Sequence, residues 1–551
     1  MRLLTMLPII LWFTLPANGQ DKLTQRIDAL LDQEFTSKPG PGFTVGIIKK
    51  GKLVYQGQRG MANLVYQVPF NDSTIFDLAS VTKQFTAACI AILQKQARLS
   101  VDDDVRKYIP ELAFYGDTIR IKHLLNHTSG IRNHNILLEL MGFDFKHRGY
   151  TNQMVQGLMF RQQGVNNAPG EKMLYSNTNY VLLALIVERV SGQKIQDFAQ
   201  ESLFKPLGMM NTFYISDLEQ IIPNSARSHY PTKTGYKQPK SFNLCVGAGG
   251  VKSTVVDLAK WMGIFLDATQ DFSYISSFIA TLDTLNNGRK MSCARGMFVS
   301  PYRGYNTLNH SGRGRGMRAQ WICIPALRLG VVVYANSASI NAVDISYKIL
   351  DQLMEPGAGQ VSSKSVTQYR HTKQELKALV GDYQELNSDL LVHIFVDNDT
   401  LKTRSSFGRE NIALVSKTKT SFYRQHNPNV SYIFDTSYAV GADLLVDFGG
   451  ATFYLEKVNL VNAEKRSVAD FVGKYYSKEL QVTYVVQKEG KQLLLSYPQH
   501  PRIVLKPRQK DEYGSGRRVK YTFNRDGQGR VQSFYVAAEG TVKHILFERM
   551  E

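Results

Sequence analysis

An α+β domain followed by two small antiparallel β-barrels is the architecture this sequence predicts. Three observations carry it. Strand-like runs stand near residue 45 and again near residue 325, with helical apolar spacing between them. Past residue 370 the texture changes to short alternating strands broken by turn signals. Within that stretch Leu379-Val380-Gly381-Asp382-Tyr383 restarts as Phe471-Val472-Gly473-Lys474-Tyr475, 92 residues later.

The opening MRLLTMLPIILWFTLPANGQ has Arg2, an apolar run from Leu3 to Leu15 and a small-x-small close at Ala17-Asn18-Gly19. That order is the logic of a cleavable secretory signal over residues 1–19, and the run is too short to span a bilayer comfortably. An N-terminal core helix is the alternative. No cysteine follows the run to take a lipid anchor. The mature protein is expected in the periplasm or secreted, with no stable membrane span.

Phe43–Ile48 and Leu53–Arg59 flank Lys49-Lys50-Gly51-Lys52 and read as a β-hairpin. From about 80 to 225 the spacing is helical, as in the runs beginning at Phe85 and Tyr180. Strands return at Ala319–Ile324 and Leu329–Tyr334, and Ala342–Met354 reads as a helix. A sheet closed by distant segments makes residues 20–355 one domain. Residues 356–370, polar with Gly, Pro and Ser, read as a linker. The repeat then gives one barrel over 371–459 and another over 460–551. A single larger sandwich is the alternative.

The chain's 551 residues suit two to four domains. Hydrophobic residues at 43% and charged residues at 21% exclude a wholly disordered or fibrous chain. The net charge of +19 raises the question of nucleic acid. Residues 371–460 hold 9 basic and 11 acidic side chains, and residues 461–551 hold 17 and 10. The excess is thinly spread, so basic surface is expected and a nucleic-acid partner is not. Cys89, Cys245, Cys293 and Cys323 have no zinc or thioredoxin spacing, and their positions leave a disulfide open.

Three short motifs can carry chemistry. In Ser80-Val81-Thr82-Lys83 the serine needs a base to become a nucleophile. If Ser80 starts a helix, Lys83 lies one turn along the same face, and the helix N-terminus turns N–H groups toward a developing oxyanion. A serine there is also an ordinary cap. In Tyr175-Ser176-Asn177 a tyrosine beside a lysine can ionise below its free value and act as a base, while the amide orients lysine and substrate. In His310-Ser311-Gly312 a histidine on a strand edge can bind a substrate carboxylate or assist proton transfer. Each motif standing alone reads as structural.

In combination and in this order, Ser80-x-x-Lys83, Tyr175-x-Asn177 and His310-x-Gly312 resemble the penicillin-recognising serine hydrolases. The likeness is to the branch of class C β-lactamases, D-Ala-D-Ala carboxypeptidases, D-aminopeptidases and related esterases. Phe76-Asp77-Leu78-Ala79, the stretch His123 to Ile131, Pro169-Gly170 and Gly249-Gly250-Val251-x-Ser253-Thr254 agree with it. The resemblance covers residues 25–355 and implies a β-lactamase-like domain, an antiparallel sheet flanked by helices plus a helical subdomain. It implies Ser80 as the acylated nucleophile and Lys83 as its base. Tyr175 would share proton transfer to the leaving group, and Asn177 would hold Lys83 and the substrate. His310 stands where β-lactamases have the lysine of Lys-Thr-Gly, which speaks against strong β-lactamase activity. The oxyanion hole would be the N–H groups of Ser80 and of Arg313, just past Gly312. The Arg313 side chain, followed by Gly314-Arg315-Gly316, would tune specificity toward an anionic group. The barrels resemble, more weakly, the lipocalin-like ones appended to D-aminopeptidases.

The implied function is a serine acyl hydrolase acting through a covalent acyl-enzyme on a peptide, amide or ester, of cell-wall or D-amino-acid type. A true class C-like β-lactamase and a non-catalytic sensor of peptidoglycan or β-lactams are the competing readings. His127-Thr128-Ser129-Gly130 mimics the third motif and is given a structural role. Gly312-x-Gly314-x-Gly316 lacks the strand–helix context of a dinucleotide site, and the eleven histidines form no metal-ligand spacing. No cofactor and no metal are implied, and the oligomeric state carries no signal. Asp511-Glu512-Tyr513, before Gly514-Ser515-Gly516-Arg517-Arg518, reads either as a solvated loop or as a loop entering the catalytic cleft.

Overall fold

The computed structural model describes residues 18–36, 39–240, 244–267, 271–354, 369–386, 388–406, 408, 410–425, 427–434, 442–448, 452–459 and 468–551. The signal segment up to Ala17 and most of the expected linker lie outside the described residues.

Eight strands form one antiparallel sheet: β1 (Phe43–Lys49), β2 (Lys52–Arg59), β3 (Leu282–Thr284), β4 (Lys290–Ala294), β5 (Phe298–Tyr302), β6 (Tyr305–Arg313), β7 (Arg318–Ile324) and β8 (Leu329–Ala335). Their order is β3-β4-β5-β6-β7-β8-β1-β2, so β1 from the start of the domain pairs with β8 from its end, Val45 opposite Val333. β1 and β8 are buried over nearly their whole length, which their runs of Val, Ile and Leu suit. Helices α1 (Asn18–Glu34) and α6 (Ala342–Leu353) cover one face, packing Ile27, Leu31, Ile345 and Ile349 on Val45, Val331 and Val333.

The other face carries the helical region, including α2 (Lys83–Lys95), α3 (His134–Leu140), α4 (Asn177–Ser191) and α5 (Val255–Leu266). α2 is buried from Lys83 through Leu93 without a break, as befits a mainly apolar helix at the centre, and the burial takes in the polar Lys83, Gln84 and Thr86. Trp261 and Trp321 join that core to the sheet.

Two closed barrels of eight antiparallel strands follow, from Gly381–Glu385 to Thr452–Val458 and from Gly473–Ser477 to Val542–Arg549. Each pairs its first strand with its last, Asp382 opposite Val458 and Tyr475 opposite Arg549. Closure rules out the sandwich. The sequence repeat has a physical basis: the Tyr383 hydroxyl donates to the Leu379 carbonyl at 2.8 Å, and the Tyr475 hydroxyl donates to that of Phe471 at 2.8 Å. The same bond pins the lead-in of both barrels.

The barrels differ in how they are held. The second shares one continuous apolar core with the helical region, and its Tyr484 hydroxyl donates to the Leu140 carbonyl of α3 at 2.7 Å. The first has a core of its own, built on Tyr383, Ile394, Phe422, Tyr432 and Leu455. It meets the second through polar groups: the Gln384 amide donates to Glu512, and the Gly516 N–H donates to Asp389. This corrects the idea that residues 511–518 enter the cleft. Glu512–Gly514 is a barrel strand, and Tyr513 is buried against Phe471 and Phe523. Glu512 meets Gln384 of the first barrel and Lys520, and Asp511, Arg517 and Arg518 pair with Arg525, His500 and Glu539 of their own barrel.

All four cysteines are buried, and none of them forms a disulfide. No helix among the described residues is long and apolar enough to cross a membrane. Tyr475→Phe keeps the ring and removes only the repeated hydroxyl bond, so it is expected to cost about 1 kcal/mol. Urea unfolding checks this, and an unchanged midpoint would show that the bond contributes nothing.

Candidate active site

Ser80 lies in a 3-10 turn, Ala79–Thr82, that runs straight into α2 at Lys83. The residue before it is held in a costly conformation: Ala79 has φ 47°, and its N–H donates to Asp77 Oδ1 at 2.8 Å. Backbone donors in a first helical turn have no partner from a preceding turn, and the Ser80 N–H is one of them.

Lys83 is fully buried, and each of its hydrogen-bond acceptors is uncharged. Its Nζ donates to Asn177 Oδ1 at 2.9 Å, to the Ala248 carbonyl at 2.9 Å and to Ser80 Oγ at 3.3 Å. Burial pushes its pKa down to about 7. At neutral pH a substantial fraction is therefore the free amine.

Tyr175 places its ring centroid 4.9 Å from Lys83 Nζ, and its hydroxyl bonds Ser80. Burial raises its pKa well above the usual tyrosine value. This corrects the expectation of a readily ionised tyrosine: desolvation dominates, and the phenol keeps its proton. Asn177 opens α4, which carries its amide to Lys83.

His310 lies within β6, ahead of the β7–β8 hairpin, its ring 6.3 Å from that of Tyr175. Its Nδ1 bonds the Ser311 carbonyl at 2.6 Å; since a carbonyl only accepts, Nδ1 carries the proton. Burial, and then the neighbouring Lys83, hold its pKa down to about 3. His310 is a neutral imidazole with a free Nε2 lone pair, which corrects the idea that it grips a carboxylate by charge.

Gly312 is required by close approach. A Cβ there would stand 2.4 Å from the Leu78 carbonyl oxygen and 3.3 Å from the Ala79 methyl, so only glycine lets β6 lie on the turn bearing Ser80. The Gly314 N–H bonds Met317 across the β6–β7 turn, and antiparallel alternation then makes Gly312 and His310 the residues bonded to β7. Ser311 and Arg313 point their N–H groups to the opposite edge. There the pairing with β5 has already ended at Asn309 opposite Phe298. The Arg313 N–H is thus on an open edge beside the Ser80 turn. Its side chain is exposed and alternates with those of His310 and Gly312, so it leaves on the other face of the sheet. A role for that side chain in gripping an anionic substrate is not supported.

Sequence reasoning missed two supports, at Ala248 and Asn152, and the structural role it gave His127 takes a definite form. The Ala248 carbonyl has no side-chain signature, although the glycines around it, at 247, 249 and 250, mark a constrained loop. Asn152 holds that loop, donating to the Val246 carbonyl at 3.1 Å and accepting its N–H at 2.7 Å. His127 stacks on Tyr175 with ring centroids 4.3 Å apart and accepts the Ser176 N–H at 3.2 Å.

A penicillin-binding protein 4* of Bacillus subtilis is 36% identical over 175 residues, which are 31% of this chain and 37% of that protein. A D-aminopeptidase of Brucella anthropi is 24% identical over 531 residues, 93% of this chain and 96% of the relative. Among solved structures, the octameric penicillin-binding protein homologue from Pyrococcus abyssi shares the fold, with TM-score 0.54 and 22% identity over 88% of this chain and all of that one. The β-lactamase family model matches residues 27–353, more than half the sequence, and the chain belongs to that family of serine hydrolases.

Proposed function

We propose that the chain is an exported serine acyl hydrolase that works through a covalent acyl-enzyme on peptide, amide or ester substrates of the D-amino-acid type. One observation carries the reading: a buried amine with only uncharged acceptors stands 3.3 Å from a serine hydroxyl. Export rests on the N-terminal Arg2, apolar run and Ala17-Asn18-Gly19.

The free amine of Lys83 takes the proton from Ser80 Oγ, and the oxygen attacks the substrate carbonyl. The N–H groups of Ser80 and Arg313 receive the oxyanion. Tyr175, a neutral phenol bonded to Ser80, passes the proton held by Lys83 to the leaving group as the tetrahedral intermediate collapses. Water then enters, gives up its proton along the same path, and releases the acyl group. Asn177 and the Ala248 carbonyl keep the amine aimed through both halves.

Substrate type follows from His310. A neutral imidazole where a β-lactamase presents an ammonium gives a substrate carboxylate no counter-charge, which favours aminopeptidase or esterase chemistry over β-lactam hydrolysis. The D-aminopeptidase relative aligned over nearly the whole chain supports the same choice. A panel of D-amino-acid anilides, p-nitrophenyl esters and nitrocefin separates these, with nitrocefin expected to be the poorest.

Ser80→Ala is expected to abolish covalent labelling by a fluorophosphonate probe with the fold intact, and Lys83→Ala to slow labelling on the order of a thousandfold. Unchanged labelling of Ser80→Ala would end the mechanism.

The acylation rate is expected to rise with pH through about 7, because the amine is the base and the ammonium is not. The sign is opposite for an enzyme whose ammonium is the working form. Stopped-flow rates across pH 5–9 decide it; a flat profile would remove Lys83 from the role of base.

A further inference from the structure

The loop His127–His134 lies between the active-site helix and the second barrel, bonded to both. Toward the site, His127 accepts the Ser176 N–H, the Ser129 hydroxyl donates to Asn179 at 2.7 Å, and the Thr178 hydroxyl donates to the Arg132 carbonyl at 2.8 Å while accepting the His134 N–H at 2.8 Å. Those partners flank Asn177 in the first turn of α4. Toward the barrel, the Arg132 guanidinium pairs with Glu479 at 2.5 Å, both side chains almost wholly buried at 2% and 7% exposure, and donates to the His544 carbonyl at 3.2 Å. Glu479 also accepts the Gln163 N–H at 2.9 Å, and the Thr541 carbonyl accepts from Asn133 and Asn166.

A buried ion pair is a poor way to gain stability, and this interface already has an apolar core. What the pair supplies is a fixed direction. We propose that the second barrel is a working part of the acylation site: Glu479 holds Arg132, and Arg132 is a positioning residue that fixes the first turn of α4 and with it the Asn177 amide on Lys83. The inference rests on Ser80 being acylated with Lys83 as base. The barrel's contribution then falls on the rate of the chemical step rather than on the capture of substrate, because neither Arg132 nor Glu479 needs to meet the substrate.

The test uses the full chain and a fluorophosphonate probe, separating the saturating acylation rate from the half-saturating concentration. Glu479→Gln keeps the shape and an acceptor oxygen and removes the charge. It is expected to lower the saturating rate about tenfold, with half-saturation unchanged within about twofold. Tyr484→Phe deletes a different bond across the same interface and is expected to lower the melting temperature while leaving the rate intact. Thr178→Val, which cuts the link between Arg132 and α4, is expected to reproduce the slow rate, and Thr178→Ser to restore it; this pair decides the matter if Glu479→Gln does not fold. Wild-type labelling speed in folded Glu479→Gln or in Thr178→Val would overturn the proposal, as would equal losses in Glu479→Gln and Tyr484→Phe. A wild-type protein that takes no label at Ser80 would instead overturn the acyl-enzyme reading on which the proposal stands.

Discussion

The site depends on one constraint: a lysine amine kept out of water without a counter-ion. Removing an ammonium from water costs several kcal/mol, and a carboxylate beside it would repay that cost by keeping the proton in place. Lys83 has an amide oxygen, a backbone carbonyl and a serine hydroxyl instead, all acceptors and none charged. The surroundings follow from this choice. α2 is buried from Lys83 through Leu93, Tyr175 keeps its proton, and His310 stays neutral because burial disfavours its cation and Lys83 beside it adds to that cost. Donors aimed at an oxyanion act more strongly in such a place than in water.

Backbone geometry does the rest of the positioning. The sheet brings β6 against the Ser80 turn only because residue 312 lacks a side chain, and the departure of β5 leaves the next N–H without a strand partner on that edge. The Ser80 turn begins in a left-handed conformation at Ala79, whose N–H is bonded to Asp77. These features are conformational costs met by the packed core around them, which is why they sit where the deepest apolar cluster and the sheet meet.

What could be read from the sequence divides along physical lines. Ser80 and Lys83 are legible because one helical turn converts their spacing into contact, and the hairpin at 43–59 because two strand-like runs flank the turn Lys49-Lys50-Gly51-Lys52. Tyr175, Asn177 and His310 are legible only as members of an ordered set, since their meeting with Lys83 is made by tertiary packing. The strand Phe298–Tyr302 and the bounds of Tyr305–Arg313 around His310 are not legible: Pro301, Asn306, Thr307 and Asn309 break any apolar alternation. The Ala248 carbonyl is backbone and leaves no trace in residue identity. The charged run at 511–518 misled for a related reason. Glu512 and the Gly516 N–H meet the first barrel while the other charges pair within the second, and nothing local distinguishes that from a loop reaching into a cleft.

The two barrels are attached by different physics, and that difference bears on what each can do. The first touches its neighbour through side-chain bonds around Gln384, Asp389 and Glu512, a junction made of polar groups whose net worth is small once their desolvation is counted. The second continues the apolar core of the helical region, with Ile136 and Leu140 beside its Tyr497, Ile503, Val519 and Tyr521, so it cannot leave without exposing apolar surface to water. Burying one aliphatic side chain of that size is worth about 2 kcal/mol by area alone. Adhesion is therefore already provided for, and the Arg132–Glu479 pair is not needed as glue. A charge pair in that setting is directional where leucines are not: it tolerates one arrangement of the loop His127–His134, and the loop in turn tolerates one arrangement of α4. An apolar interface alone would hold the barrel in place while leaving the amide of Asn177 free to wander from the amine it must aim.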